Sequence, residues 1–182
     1  MALEHAILVS LAEKSASGYE LARRFDASIG HFWKASHQQI YKVLARMDSD
    51  GWVASQLIVQ ADRPDKKVYA ITQAGRRELA LWTTKATPVE ELRSDFAVKL
   101  RALPFGDTAA IVDDVRMRRR DHLDRLAYYE HSAAKHYPRP HELSHEQLGG
   151  WLVLRGGILT EQAAIAWCDE ILQRLAPDEA ER

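Results

Sequence analysis

The chain has 182 residues, of which 46% are hydrophobic and 28% charged, with a formal net charge of -1. That length suits one ordinary domain or two small ones. No apolar run approaches the roughly 18 residues that a membrane span needs, and the single cysteine, Cys168, excludes an intrachain disulfide and a thiolate metal cluster.

The opening stretch MALEHAILVSLAEK has an acid and a histidine where a signal peptide would carry a basic head, so the expected address is cytoplasmic. Leu3, Ile7, Leu8 and Leu11 in the same stretch form a helical apolar stripe. A second helix starts at Ser17, where a hydroxyl acceptor and Glu20 three residues on make a capping box, and it buries Leu21, Ala22 and Phe25. A third helix repeats the device with Ser36 and Gln39, and its stripe is Ile40, Val43, Leu44 and Met47 at i, i+3, i+4 and i+7. Gly51 ends it. From Val53 the period drops to two, with Val53, Ser55, Leu57 and Val59 alternating against Ala54, Gln56, Ile58 and Gln60. A polar turn, ADRPDK, leads into a second strand, KVYAIT, so the two strands read as a hairpin with a charged tip. Thr72 opens a further helix, QAGRRELALW.

Three short helices followed by a hairpin is the order of a winged helix-turn-helix. From Thr87 onward only helices are predicted. Thr87 with Glu90, helped by Pro88, and Asp107 are expected caps, and HYPRPHEL (136–143) breaks one long helix from a last one capped by Ser144 and Gln147. The expected fold is therefore mainly α: a winged helix-turn-helix with a two-stranded β wing over 1–84, then an all-α dimerisation domain over 85–182. Charge divides mildly along the same line. Residues 1–84 hold 11 Lys and Arg against 9 Asp and Glu, and the remainder 14 against 17, which favours the first part as the face for a polyanion.

The segments SGYELARRF (17–25), SHQQIYKVLARMDSDGWV (36–53), KKVYAITQAGRREL (66–79), RSDFAVKL (93–100) and RGGILTEQAAIAWCDEIL (155–172) together resemble the PadR family of bacterial transcriptional regulators. They run through nearly the whole chain. The resemblance points to longer-tailed members whose C-terminal helices form the dimer. One departure lies in the wing, where RPDKK places Asp65 among the basic residues, an acid that works against phosphate contact.

On the third helix the apolar stripe leaves Ser36, His37, Gln38, Gln39, Tyr41, Lys42 and Arg46 on other faces. Gln pairs bidentately with adenine and Lys or Arg with guanine, and the first turns of a recognition helix enter the major groove. Gln39 is expected to be spent on the cap, while Ser36 and Tyr41 suit phosphate, which positions without specifying. An amphipathic helix has a polar face in any case, and solvent is its usual partner; the resemblance implies double-stranded operator DNA instead. At the wing, Arg63, Lys66 and Lys67 are either a soluble edge or backbone and minor-groove contacts. Ser17 and Tyr19, at the start of the second helix, serve as cap and packing and, by the resemblance, abut the DNA backbone.

On the last helix Trp151, Leu154, Ile158, Ile165, Cys168, Leu172 and Leu175 fall on a four-three spacing broken only by Glu161. Leu148, Leu152 and Leu159 add a second strip. A homodimer built on 107–135 and 144–175 follows, with Trp151, Leu154, Ile158, Ile165 and Leu172 at its interface. The rival is an intramolecular bundle without a second chain. By the resemblance a small-molecule effector enters between the domains or at the dimer interface; Trp82, Trp151 and Tyr128 are candidate linings that core packing explains equally well. His131, His136, His141 and His145 surround the proline loop at spacings of five, five and four, interrupted by prolines, and read as linker residues rather than metal ligands. Arg118, Arg119 and Arg120 splay around a helix and are expected to pair with Asp121 or Asp124. No phosphate loop, nucleophile elbow or motif-spaced carboxylate pair occurs. The expected function is a DNA-binding regulator, most simply a repressor, with neither cofactor nor metal and without enzyme activity. A winged-helix protein-interaction module is the alternative.

Overall fold

The computed structural model describes residues 2–25, 35–59, 65–88 and 93–176. Contacts divide the chain into two compact units, Met1–Glu90 and Glu91–Arg182.

The first unit runs α1 (Ala2–Glu13), β1 (Ala16–Ser17), α2 (Gly18–Arg24), α3 (His37–Ser49), β2 (Val53–Ile58), β3 (Lys66–Ile71) and α4 (Gln73–Thr83). The predicted stripes meet here. Ile7, Leu8 and Leu11 of α1, Leu21 and Ala22 of α2 with Phe25, and Ile40, Leu44 and Met47 of α3 form one cluster with Ala16, Val53 and Tyr69. Burying each large aliphatic side chain contributes about 1.5–3 kcal/mol, which makes this cluster the source of the unit's stability. Both predicted capping boxes are formed, at Ser17/Glu20 and Ser36/Gln39. At the end of α3, Gly51 adopts φ 72, a left-handed conformation that costs glycine little. No basic residue lies in the last turn of α1; instead Arg24 donates from α2 to the carbonyls of Ser10, Lys14 and Ser15 at and just beyond the end of α1.

The sheet differs from a two-stranded wing. β1 adds a third strand, giving the antiparallel order β1-β3-β2 with Ala16 opposite Tyr69 and Ser17 opposite Val68. Two residues are too few to show an alternation, so the strand exists only because α1 and α2 bring it beside β3. Along β2 only Val53 is buried, and Leu57 and Ile58 stand clear of the core as the hairpin leaves it. Gly75, at the start of α4, packs so closely that a Cβ would lie 2.1 Å from the carbonyl oxygen of Trp52. Thr72 clamps the same point, with Oγ1 donating to the carbonyls of Gly51 and Trp52.

The second unit comprises α5 (Asp95–Arg101), α6 (Thr108–His136) and α7 (His145–Leu175), with single 3-10 turns at Leu103–Phe105 and Pro140–Glu142. The Asp107 cap and the Ser144/Gln147 box are both present. Glu90, the partner expected for Thr87, lies outside the described residues, and the helix that follows starts instead from a Ser94 cap. Contacts such as Arg119 with Asp169, Arg125 with Glu161 and Tyr137 with Trp151 run in opposite directions along the two long helices, so α6 and α7 form an antiparallel hairpin. At one end Phe96 of α5 sits with Ile111, Val115, Cys168 and Ile171, meets Trp167 edge-on and carries the Arg118 guanidinium 4.3 Å above its ring. The ion pairs expected for the arginine run are corrected by this packing: Arg118 pairs with Asp114 and Arg119 with Asp169, because i−4 and the facing helix are closer than the adjacent acids.

Candidate nucleic-acid interface

The outward face of α3 is built by subtraction. Its stripe residues Ile40, Leu44 and Met47 are completely buried, and Ser36, His37, Gln38, Gln39, Tyr41, Lys42 and Arg46 are left exposed. Ser36 and Gln39 are occupied with each other: the Ser36 N–H donates to Gln39 Oε1 at 2.8 Å and the Gln39 N–H to Ser36 Oγ at 3.3 Å. Among the described residues, Gln38 and Lys42 make no hydrogen bond or ion pair, and they lie one turn apart. Arg46 is different. Its guanidinium turns toward α1 and pairs with Glu4, a carboxylate whose side chain is 7% exposed.

Beside this face lies an open groove lined by Ser17, Tyr19, Arg23, Tyr41, Lys66 and Lys67, among others. Gly18 lets the Tyr41 ring lie against α2: a Cβ there would stand 2.3 Å from Tyr41 Cε1, so any side chain at residue 18 would push that ring aside. Tyr19 and Tyr41 nonetheless remain 58% and 47% exposed, so both hydroxyls are available. The groove thus brings together the predicted second-helix pair, part of the third helix and two of the three wing cations. Arg63, the third, lies outside the described residues. Arg23 and Tyr69 also line the groove and were missed by the sequence reading; for Arg23 the signal was its spacing of four from Tyr19.

The wing lysines are not loose. Lys66 Nζ donates to Glu20 Oε1 at 2.7 Å, and Lys67 Nζ to Asp48 Oδ2 at 3.1 Å, while Lys67 also sits 5.2 Å from the Tyr69 ring centre. The Lys66 ammonium and the Ser17 backbone hold the Glu20 carboxyl down at about 2. The hydroxyl of Ser55, aided by Lys67, lowers that of Asp48.

In the second unit, α7 turns its four-three stripe toward α6. Ile158 is 4% exposed, Cys168 and Leu172 join the Phe96 cluster, Leu154 and Ile165 are half-buried, and Trp151 packs on Tyr137. The stripe expected to meet a second chain is therefore occupied within the unit. Glu161, the residue that interrupts it, accepts from Arg125 Nε at 3.0 Å and from His122 Nδ1 at 2.5 Å. What remains outward is a strip of Leu148, Leu152, Gly156, Leu159, Ala163 and Ala166. The aromatic candidates also have packing partners: Trp82 stacks on His5 at 4.5 Å, and Tyr128 meets Tyr129 edge-on. His131, His136, His141 and His145 are exposed, and among the described residues no three His, Cys, Asp or Glu side chains converge on a point that could hold a metal ion. No helix among the described residues is long and apolar enough to cross a membrane.

A capped third helix with an exposed polar face, a close-packed helix before it and a sheet carrying cations beside it define a winged helix-turn-helix fold. Residues 7–81 match the transcriptional regulator PadR-like family, and residues 92–176 the virulence activator alpha C-terminal family. A probable transcriptional regulator of Mycobacterium tuberculosis is 46% identical over 96% of this chain and 98% of its own length. The negative transcriptional regulator PadR of Bacillus subtilis is 28% identical over 97% and 98%. Among solved structures, Bacillus subtilis PadR in complex with operator DNA superposes with a TM-score of 0.84 at 26% identity, covering 96% of this chain and 99% of that one. The Vibrio cholerae virulence activator AphA gives 0.77 at 35% identity, over 95% and 97%. The chain belongs to the PadR-like family of transcriptional regulators. The matched family and these relatives are regulators rather than enzymes.

Proposed function

We propose that this protein is a sequence-specific DNA-binding repressor that acts as a homodimer, with 1–84 as the DNA-binding domain and 85–182 as the dimerisation domain. The observation that carries the proposal is the exposed face of α3. Gln38 and Lys42, exposed and without a hydrogen bond or ion pair among the described residues, stand on the first turns of a capped helix, beside a groove that offers two tyrosine hydroxyls and two lysines. Gln38 and Lys42 read base edges; Tyr19, Tyr41, Lys66 and Lys67 hold the backbone, while Ser17, buried and bonded to Glu20, sets the start of α2 beside them. His37 lies at the rim of the same face.

Dimerisation is supported by the outward strip of α7. Leu152 and Leu159 are 58% and 50% exposed, and the small residues Gly156, Ala163 and Ala166 between and beyond them let a second helix approach closely. Repression is supported by the negative regulator of Bacillus subtilis, against which stands the virulence activator of Vibrio cholerae. Release by a small molecule is supported by the solved complex of Bacillus subtilis PadR with p-coumaric acid. The test is fluorescence anisotropy of the purified protein on the duplex upstream of its own gene and on a scrambled duplex of equal length. Tighter binding to the first, weakening steeply with salt, is the expected result. Equal indifference to both duplexes would favour a protein-interaction module.

A further inference from the structure

Among the described residues, three helices open with a capping box, and two of them, at Ser36/Gln39 and Ser144/Gln147, use glutamine. The box needs only an acceptor oxygen at its third position, and glutamine supplies one. The box at Ser17 uses Glu20, whose charge is surplus to capping. Its two oxygens have separate tasks. Oε2 accepts from the Ser17 N–H at 2.8 Å and from Ser17 Oγ at 3.0 Å, and Oε1 takes the ammonium of Lys66 at 2.7 Å. Asp48 holds the other wing lysine, a single oxygen, Oδ2, accepting both from Ser55 Oγ at 2.6 Å and from Lys67 Nζ at 3.1 Å. Both lysines line the groove beside the recognition helix, so each faces the DNA side of the domain already neutralised.

We propose that Glu20 and Asp48 are built-in competitors of DNA phosphate for the wing lysines, and that they hold down the affinity of this protein for DNA of any sequence. Phosphate contact supplies nearly all of non-specific binding, and a carboxylate beside a lysine cancels much of the charge that the lysine offers and repels the incoming phosphate. Each pair is partly exposed, with side-chain exposures of 35% and 43% for Lys66 and Glu20 and of 48% and 25% for Lys67 and Asp48, so the restraint is a brake rather than a lock. A regulator searching a genome gains from this, because a weaker hold on random DNA frees more of it for the operator.

The inference rests on the DNA-binding reading, and a double-mutant cycle on the full-length protein separates the two. Binding to sonicated mixed-sequence duplex DNA is measured for the wild type, Glu20→Gln, Lys66→Ala and the double variant, with Glu13→Gln as a control for net charge. Glutamine keeps the cap, so the fold is retained, which thermal unfolding checks. Glu20→Gln should bind about two- to fivefold tighter, the range expected for releasing one exposed pair, and the gain should vanish in the Lys66→Ala background. A gain of equal size in that background, or in Glu13→Gln, would reduce the effect to general charge and overturn the proposal, as would no gain at all. If Glu20→Gln fails to fold, the cycle of Asp48→Asn with Lys67→Ala reads the second clamp by the same criteria. A wild type that binds no duplex at all would instead defeat the DNA-binding reading itself.

Discussion

Arg46, on the polar side of α3, pairs with Glu4, a carboxylate of α1 whose side chain is 7% exposed. The pair ties α3 to the first helix of the core. Its other oxygen, Oε2, has no hydrogen-bond partner among the described residues, so the guanidinium is the main compensation for burying that charge.

Arg46→Ala should therefore destabilise the protein rather than only weaken a DNA contact. Breaking a wholly buried pair costs roughly 3–5 kcal/mol, and because the arginine side is 48% exposed the expected loss is nearer 2 kcal/mol. Urea unfolding measures it, and Glu4→Gln in the same chain should recover most of the loss. Unchanged stability with evenly reduced affinity for all DNA would assign Arg46 to phosphate.

Specificity should rest on Gln38 and Lys42. Truncating either to alanine should relax base preference at particular operator positions, by about 1–3 kcal/mol where the lost contact is bidentate. Melting temperature should barely move, since both side chains are exposed. Competition with single-base operator variants is the measurement. Preferences identical to wild type in both variants would shift the account to readout of DNA shape.

For the dimer the informative site is Leu152, not Ile158, which is already spent inside its own unit. On the proposal of a homodimer, Leu152→Glu places a charge on the outward strip and should shift light scattering from the dimer mass expected of the wild type to the monomer mass. Operator affinity should fall with it, because two half-sites would no longer be held together. A wild type already monomeric at micromolar concentration would overturn the dimer itself. A Leu152→Glu protein that stays dimeric would move the interface off this strip.

The Glu161 cluster makes an acid-side prediction. Burial pushes this carboxyl up, but the hydrogen bonds from Arg125 and His122 outweigh it and leave it below its usual 4.5. A lowered folded value contributes stability that is complete above about pH 4.5 and is lost as pH falls through the lowered value. Glu161→Gln should thus flatten the loss of stability below that pH, though not abolish it, since Glu20, Asp48 and Asp114 shift in the same direction. Denaturant unfolding at stepped pH decides the matter: parallel acid limbs for both proteins would place the sensitivity elsewhere.

Much of this fold is local chemistry, and local chemistry is legible in a sequence. Serine with glutamate or glutamine three residues on, apolar residues at helical spacing and glycine after Met47 specify where α2, α3 and α7 start or stop, because a cap and a buried stripe involve only residues within a few turns of each other. The same spacing set Gln38 and Lys42 apart from the core. What the sequence left open depends on which element lies alongside. β1 is a strand only because β3 runs beside it, and Arg46 turns its guanidinium to α1 only because Glu4 is brought under it from 42 residues away. Lys66 and Lys67 read as free cations until the sheet carries them to Glu20 and Asp48. On α7 two apolar strips were visible and the Ile158 strip was expected at the dimer interface; packing against α6 buries that strip within its own unit and leaves the Leu152 strip outward. Burial and charge pairing across elements are non-local, and only the tertiary structure could decide them.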